Sequence, residues 1–296
     1  PLPMQLKMQG VLFLAILSFC DVSALPSIHS PTLPHPVPVA MHLRGGSPLS
    51  EKQVIGSLAT FCFPSGVLFT ASPQTGGEFY GLAEPLTPVE EFAASWFGFS
   101  LTVLLTSFLL QAFADLPVSR ILGVTSFMQI LMISHQMWAS SGQCKVLGTP
   151  TRPFWKWLIL HAAIVATSAT NGARGAIDMG LVVRCWAAAN LLHALPLFWL
   201  DKFNNLVGAS NTDITPLEKI FSRYNGIASI GWSAWLVLSA DSPIVKAVLP
   251  SIALFLASII YSIATQEWRI ARLPHGVQHL LWAVFFAFLA YCGFTL

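Results

Sequence analysis

From Lys52 onward the chain is a succession of apolar runs, each about as long as a membrane crossing and separated by short polar breaks. A helix rises about 1.5 Å per residue, so spanning a hydrocarbon core of about 30 Å takes about 20 mostly apolar residues. Eight runs of this kind lie at approximately 54–71, 92–112, 121–139, 154–170, 181–200, 220–240, 247–265 and 277–294. Eight helices of about 20 residues need about 160 apolar positions, which matches a hydrophobic content of 54% in 296 residues. Charged residues make up 9% of the chain, against roughly 25% in soluble domains. So few charges cannot cover the surface of a water-soluble domain of this size. The pattern excludes a disordered chain, a coiled coil and a water-soluble enzyme. The first run is the weakest because Pro64 and Gly66 interrupt it, but proline is tolerated inside membrane helices.

An internal duplication supports counting that run as a span. Thr87-Pro88-Val89-Glu90-Glu91-Phe92 aligns without gaps with Thr215-Pro216-Leu217-Glu218-Lys219-Ile220, and the match continues to Trp96/Tyr224 and Gly98/Gly226. Further on, Asp115-Leu116-Pro117 matches Asp241-Ser242-Pro243. The two matches keep their order at spacings of 128 and 126 residues. The expectation is an all-α integral membrane protein of about eight transmembrane helices in two parallel four-helix repeats, at 51–171 and 180–296. An even number of spans per copy makes the repeats parallel, related by an axis along the membrane normal.

The duplicated motifs have a local physical meaning. Thr-Pro-x-Glu is a capping box: Thr87 or Thr215 supplies the N-cap oxygen, proline fills the first turn, and Glu90 or Glu218 reaches back to the cap. Asp115 and Asp241 stand where the next helix begins, near the positive end of its dipole. All six residues read as structural helix caps, with a paired catalytic role for Glu90 and Glu218 as the alternative.

The N-terminal stretch is of another kind. Lys7 precedes a short apolar region from Val11 to Cys20, and Val22-Ser23-Ala24 is a small-residue cleavage site. This is the pattern of a secretory signal peptide over 1–24. Residues 25–50 are rich in Pro and Ser, contain His29, His35 and His42, and have no acidic residue. Such a segment cannot pack a core, so it is either a spacer or a transit peptide. The tandem arrangement resembles the bipartite leaders of algae with secondary plastids, although Leu25 stands where an aromatic is usual. The resemblance implies a plastid membrane; a signal peptide with a plain spacer implies the endomembrane system. Both destinations stay open.

In the eight-span arrangement one face carries Lys145, Arg152, Lys156, Lys202, Lys219, Arg223, Arg269 and Arg272, and the other carries Lys52, Arg120, Arg174, Arg184 and Lys246. The positive-inside rule puts the richer face in the cytoplasm or stroma, leaving both mature termini on the lumenal side. The formal charge of +2 comes with no basic run, so no nucleic-acid partner is expected. The expected partners are the lipid bilayer and other membrane subunits.

Signals for chemistry are sparse. There is no nucleotide-binding, zinc-protease or hydrolase motif, none of the five cysteines forms a C-x-x-C pair, and no metal site or cofactor is indicated. The polar residues inside spans are Gln129, His135 and Gln136 on the third, His161 on the fourth, and Asn190 and His193 on the fifth. Asn190 and His193 share a helix face at i, i+3. Gln129, His135, His161, Asn190 and His193 are the candidate intramembrane polar site; they serve interhelical hydrogen bonding, solute contact, or ligation of a metal or pigment. Trp96, Trp138, Trp155, Trp157, Trp199 and Trp268 lie near span ends, where an interfacial belt is expected. The expected role is a non-enzymatic accessory or scaffold subunit of a membrane complex. The alternatives are a facilitative carrier or channel with a path at the repeat interface, and a membrane enzyme acting on lipid through His161 or His193.

Overall fold

The computed structural model describes residues 50–174, 177–199, 214–239, 243–273 and 282–287. The expected signal peptide, nearly all of the Pro-rich stretch, Asp241 and most of the eighth apolar run lie outside the described residues. Every regular element among the described residues is a helix: α1 Glu51–Ala71, α2 Pro73–Phe79, α3 Pro88–Ala114, α4 Val118–Trp138, α5 Gln143–Val146, α6 Arg152–Arg174, α7 Met179–Trp199, α8 Pro216–Leu238, α9 Ile244–Ala264 and α10 Glu267–Ile270. A further helical stretch covers 282–287.

Three of these helices, α1, α3 and α9, are long and apolar enough to cross a membrane on length and composition alone. The stretch Met179–Leu195 of α7 is apolar but shorter. The helices α4, α6 and α8 reach similar lengths, but polar side chains dilute their apolarity, among them Arg120, Gln129, Lys156, Lys219 and Arg223. The lipid-like character of the molecule also shows on its outside. Leu192 is 71% exposed, Phe113 67% and Ile159 65%, with Phe127, Leu131 and Ile260 also exposed. In water this much bare apolar surface would drive association; in hydrocarbon it costs nothing.

Local chemistry sets the helix starts. The Ser50 side chain accepts from the Gln53 N–H while the Gln53 side chain accepts from the Ser50 N–H, closing a capping box on α1. Pro64 lies inside α1 and does not end it. At the far end of α3, Asp115 adopts a left-handed conformation (φ 51°) and is the C-cap of that helix. The N-cap of α4 is Pro117, with no side-chain bond. Asp115 was expected to start α4; instead it closes α3, and its carboxylate accepts from Lys52 Nζ at 2.7 Å. The chain reverses direction there, and a left-handed residue accomplishes the reversal.

At the centre of the bundle α3 and α8 pack side by side and run parallel. Four polar bonds join them: Thr215 Oγ1 to Glu90 Oε1 at 2.7 Å, Ser100 Oγ to Asn225 Oδ1 at 2.6 Å, Trp232 Nε1 to Ser107 Oγ at 3.1 Å and Trp235 Nε1 to Gln111 Oε1 at 2.8 Å. The partners are 124 or 125 residues apart in every case, so the two helices are in register over most of their length. Around this pair the neighbours are arranged in matching fashion. The helix before each central helix packs on it, α1 on α3 and α7 on α8, and the helix after each, α4 and α9, does the same. Across the centre, α9 reaches α1 and α4 reaches α7. One apolar core runs through all of them, built on Leu104, Phe108, Trp232 and Trp235 with Ile55, Leu122, Trp186 and Val248.

The helices α1 and α3 approach each other closely. A Cβ on Gly98 would lie 2.5 Å from Phe69 Cβ and 2.6 Å from the Thr70 backbone nitrogen. A Cβ on Gly66, opposite, would lie 2.7 Å from Thr102 Oγ1. Paired small residues let membrane helices bring their backbones together. Replacing Gly98 by Val is expected to push α1 off α3 at a cost of about 1–3 kcal/mol. Thermal unfolding in detergent checks this; an unchanged midpoint would mean that the crossing has room to spare.

Candidate functional site

The two Thr-Pro-x-Glu motifs converge at one end of the bundle. In α3, Thr87 Oγ1 accepts from the Glu90 N–H at 3.3 Å, and Glu90 Oε2 accepts from the Thr87 N–H at 2.9 Å. In α8, Thr215 Oγ1 accepts from the Glu218 N–H at 3.1 Å. Thr215 then donates its own hydrogen to Glu90, so one hydroxyl caps its helix and also ties it to the neighbouring one. Glu90 is fully buried. Arg272 Nη2 donates to its two oxygens at 3.1 and 3.4 Å, and the same guanidinium pairs with Glu84. The Glu84 contact, followed by the charge of Glu90, holds the Arg272 pKa above its usual value. The Glu90 carboxylate sits among the first N–H groups of α3 and α8, where both helix dipoles favour a negative charge. Both its oxygens accept hydrogen bonds, from the Thr87 N–H, the Thr215 hydroxyl and Arg272.

A second ion pair lies one layer further in. Arg223 on α8 is buried; it bonds Ser258 and Ser262 of α9 at 3.2 Å each and pairs with Glu267 of α10. Its guanidinium also lies 5.1 Å from the centre of the Tyr261 ring. Arg223 was assigned to a membrane face from its place near the start of the sixth run. The pairing was not visible in sequence because Ser258, Ser262 and Glu267 reach it only through the fold.

The intramembrane polar candidates separate into two groups. Asn190, His161 and His193 come together where α6 and α7 meet α8. Asn190 Nδ2 donates to the Ser229 carbonyl at 3.0 Å and to Ser233 Oγ at 2.9 Å, joining α7 to α8. His193 lies over Trp157 with ring centres 4.7 Å apart, and His161 meets Trp186 at the same distance edge-on. Trp186 continues to Trp232 on α8 at 6.2 Å. Trp157 also meets Trp186 edge-on, with ring centres 5.8 Å apart. His161 Nδ1 and Trp186 Nε1 are buried without a hydrogen-bond partner. His135 and Gln129 lie apart on α4: His135 is exposed, with Nε2 3.4 Å from Ser141 Oγ, and Gln129 is half-buried. Gln136 is buried and accepts from the Gln143 N–H at 2.9 Å, fastening the loop after α4. Among the described residues, no group of three or more His, Cys, Asp or Glu is placed to hold a metal ion.

A cavity of about 170 Å³ lies between α1, α3, α8, α9 and the 282–287 helix. Its wall is almost wholly apolar, with Phe69, Phe97, Phe108, Phe221, Phe255 and Trp282 among the side chains that form it. The few polar side chains in the wall are Ser65, Tyr80, Tyr224 and Ser251, with the thiol of Cys62. Ser65 Oγ and Tyr80 OH are hydrogen-bonded to each other at 2.7 Å, and Ser251 Oγ is buried with no partner. Burial pushes the Tyr80 phenol up to about 12, so it keeps its proton at physiological pH. No spacing along the chain announces this cavity, because its lining is drawn from five helical segments and from loop residues Tyr80, Leu82 and Leu273.

Loss of the shared hydroxyl is the test of the helix-start cluster. Thr215→Val removes a cap and a bond to a buried carboxylate and is expected to lower stability by about 2 kcal/mol. Thr87→Val removes a cap alone and is expected to cost about 1 kcal/mol. Denaturation in detergent micelles compares the two; an equal loss would mean that the Thr215–Glu90 bond contributes nothing. In comparisons with known proteins, the chain matches no protein-family model, no curated protein and no solved structure.

Proposed function

We propose that the chain is a non-enzymatic integral membrane subunit, in which two parallel four-helix units form a rigid scaffold for other membrane proteins. The observation that carries this reading is the engagement of the duplicated residues with one another. Glu90, Thr87 and Thr215 spend their hydrogen bonds on helix starts and on the seam between α3 and α8. The parallel central pair, with equivalent neighbours on either side, supports the four-plus-four arrangement and eight spans. The exposed apolar faces, including Phe127, Leu131, Ile159 and Leu192, offer surface to lipid and to partner subunits. A facilitative carrier is less favoured. Trp232 and Trp235 fill the seam where a path between repeats would run, and the cavity wall is unsuited to a polar solute. A lipid-directed enzyme is less favoured because the rings of His161 and His193 are packed against tryptophans.

In the proposed orientation the end that carries Thr87, Thr215 and Arg272 faces the cytoplasm or stroma, and the end with Lys52 and Asp115 faces the lumen. The membrane is a plastid or an endomembrane, the leader fitting both.

Purification from the native membrane in mild detergent is expected to bring partner subunits in fixed stoichiometry. Recovery of the chain alone, with solute uptake in proteoliposomes, would favour the carrier.

The span count is tested with single cysteines, Glu51→Cys, Thr75→Cys, Asn211→Cys and Leu296→Cys, in a background without native cysteines. Labelled with an impermeant reagent in sealed vesicles, Thr75→Cys and Asn211→Cys are expected to react from one side, Glu51→Cys and Leu296→Cys from the other. If Glu51→Cys and Thr75→Cys react together, α1 does not span and the four-plus-four arrangement fails.

A further inference from the structure

We propose that the cavity between α1, α3, α8 and α9 is a binding site for the hydrocarbon tail of a membrane amphiphile whose head carries an oxygen. Three observations carry this. The first is the wall: rings and aliphatic side chains surround a space of about 170 Å³. An apolar cavity of about 150 Å³ stays dry and takes up apolar molecules, so water is a poor occupant here and hydrocarbon a good one.

The second is shape. The lining runs along α1 from Leu58 to Phe69 and along α3 from Phe97 to Phe108. Each stretch covers about 16 Å at the helical rise. Half of a hydrocarbon core is about 15 Å, so the cavity extends about as far as one leaflet's tails.

The third is the placement of the polar groups. Ser65 and Tyr80 share one hydrogen between two hydroxyls, and either atom is able to donate it. One O–H therefore remains to donate to a ligand oxygen. Tyr80 and the neighbouring Leu82 and Leu273 belong to loops at the Arg272 end of the bundle, where a lipid head would sit at the membrane surface. A carbonyl, ester, carboxyl or hydroxyl oxygen suits the Ser65–Tyr80 pair; among the described lining residues no carboxylate is present to match a cationic head. The shared chemistry is a long tail with an oxygen-bearing head, and the tail is acyl or prenyl.

The experiment uses the full chain, purified in a detergent, with a fluorescent conjugated-polyene fatty acid as probe. Saturable binding at one site per chain is expected. Leu101→Trp and Leu58→Phe each fill the cavity and are expected to weaken binding at least about tenfold with unfolding midpoints unchanged or raised. The double variant Ser65→Ala, Tyr80→Phe is expected to weaken the oxygen-headed probe several-fold while leaving a headless alkane of equal length to compete as before. Displacement by a long-chain fatty acid against a prenyl alcohol of the same length identifies the tail. Absence of saturable binding, or undiminished binding in both folded filling variants, overturns the proposal. The result is independent of whether partner subunits co-purify, so failure of the scaffold reading is seen separately.

Discussion

A single hydroxyl hydrogen, passed from Thr215 to Glu90, begins the line of polar bonds on which the rest of the bundle is aligned. Inside a bilayer no water replaces a lost partner, so each polar group must be satisfied by another part of the protein. Serine, tryptophan, asparagine and glutamine along α3 and α8 meet this requirement from one helix to the other, and in doing so they fix the relative height of the two. Once these helices are parallel, the connectivity between them is constrained. The chain leaves α3 at the Asp115 end and must enter α8 at the opposite end, so an odd number of passes along the bundle suits the connection, and the long helices α4, α6 and α7 lie between them in the chain.

The ionic groups are gathered where they cost least. Arg272, Glu84 and Glu90 lie around the helix starts, and Arg223 with Glu267 lies just inside. A buried ion pair repays its desolvation only when its remaining donors and acceptors are also matched. Ser258 and Ser262 do this for Arg223, and the Thr87 N–H with the Thr215 hydroxyl do it for Glu90. Arg272 holds a left-handed backbone conformation at φ 64°, a geometry unusual for a residue with a Cβ. Its two carboxylate partners help to hold the turn.

Some of this was legible in the residues. Thr-Pro-x-Glu marks the points where α3 and α8 begin, because a cap is a local device that needs only three or four neighbours in sequence. The apolar runs announce a helical membrane protein for the same reason. Pro64 and Gly66 made the first run look doubtful, yet α1 is continuous through both, since Gly66 serves the contact with α3. Asp115 misled in the other direction. An aspartate between two helices fits the start of one as well as the end of the other, and only the backbone angle distinguishes them. The stack of His193, Trp157, His161 and Trp186 and the walled cavity were beyond sequence reasoning. Their members come from helices far apart in the chain, and no spacing rule joins Leu58 to Phe97, Ile252 and Trp282.

The shared register of the α3–α8 bonds also governs how the molecule is able to move. The bonds are distributed from Glu90 to Gln111, over about 30 Å of helix. Sliding one central helix past the other by a single turn would break all of them together, with nothing to replace them in a dry interior. Tilting would open one end only by stretching the other. The two central helices therefore behave as one beam, and flexing is left to the outer helices α4 and α6, which touch that beam less.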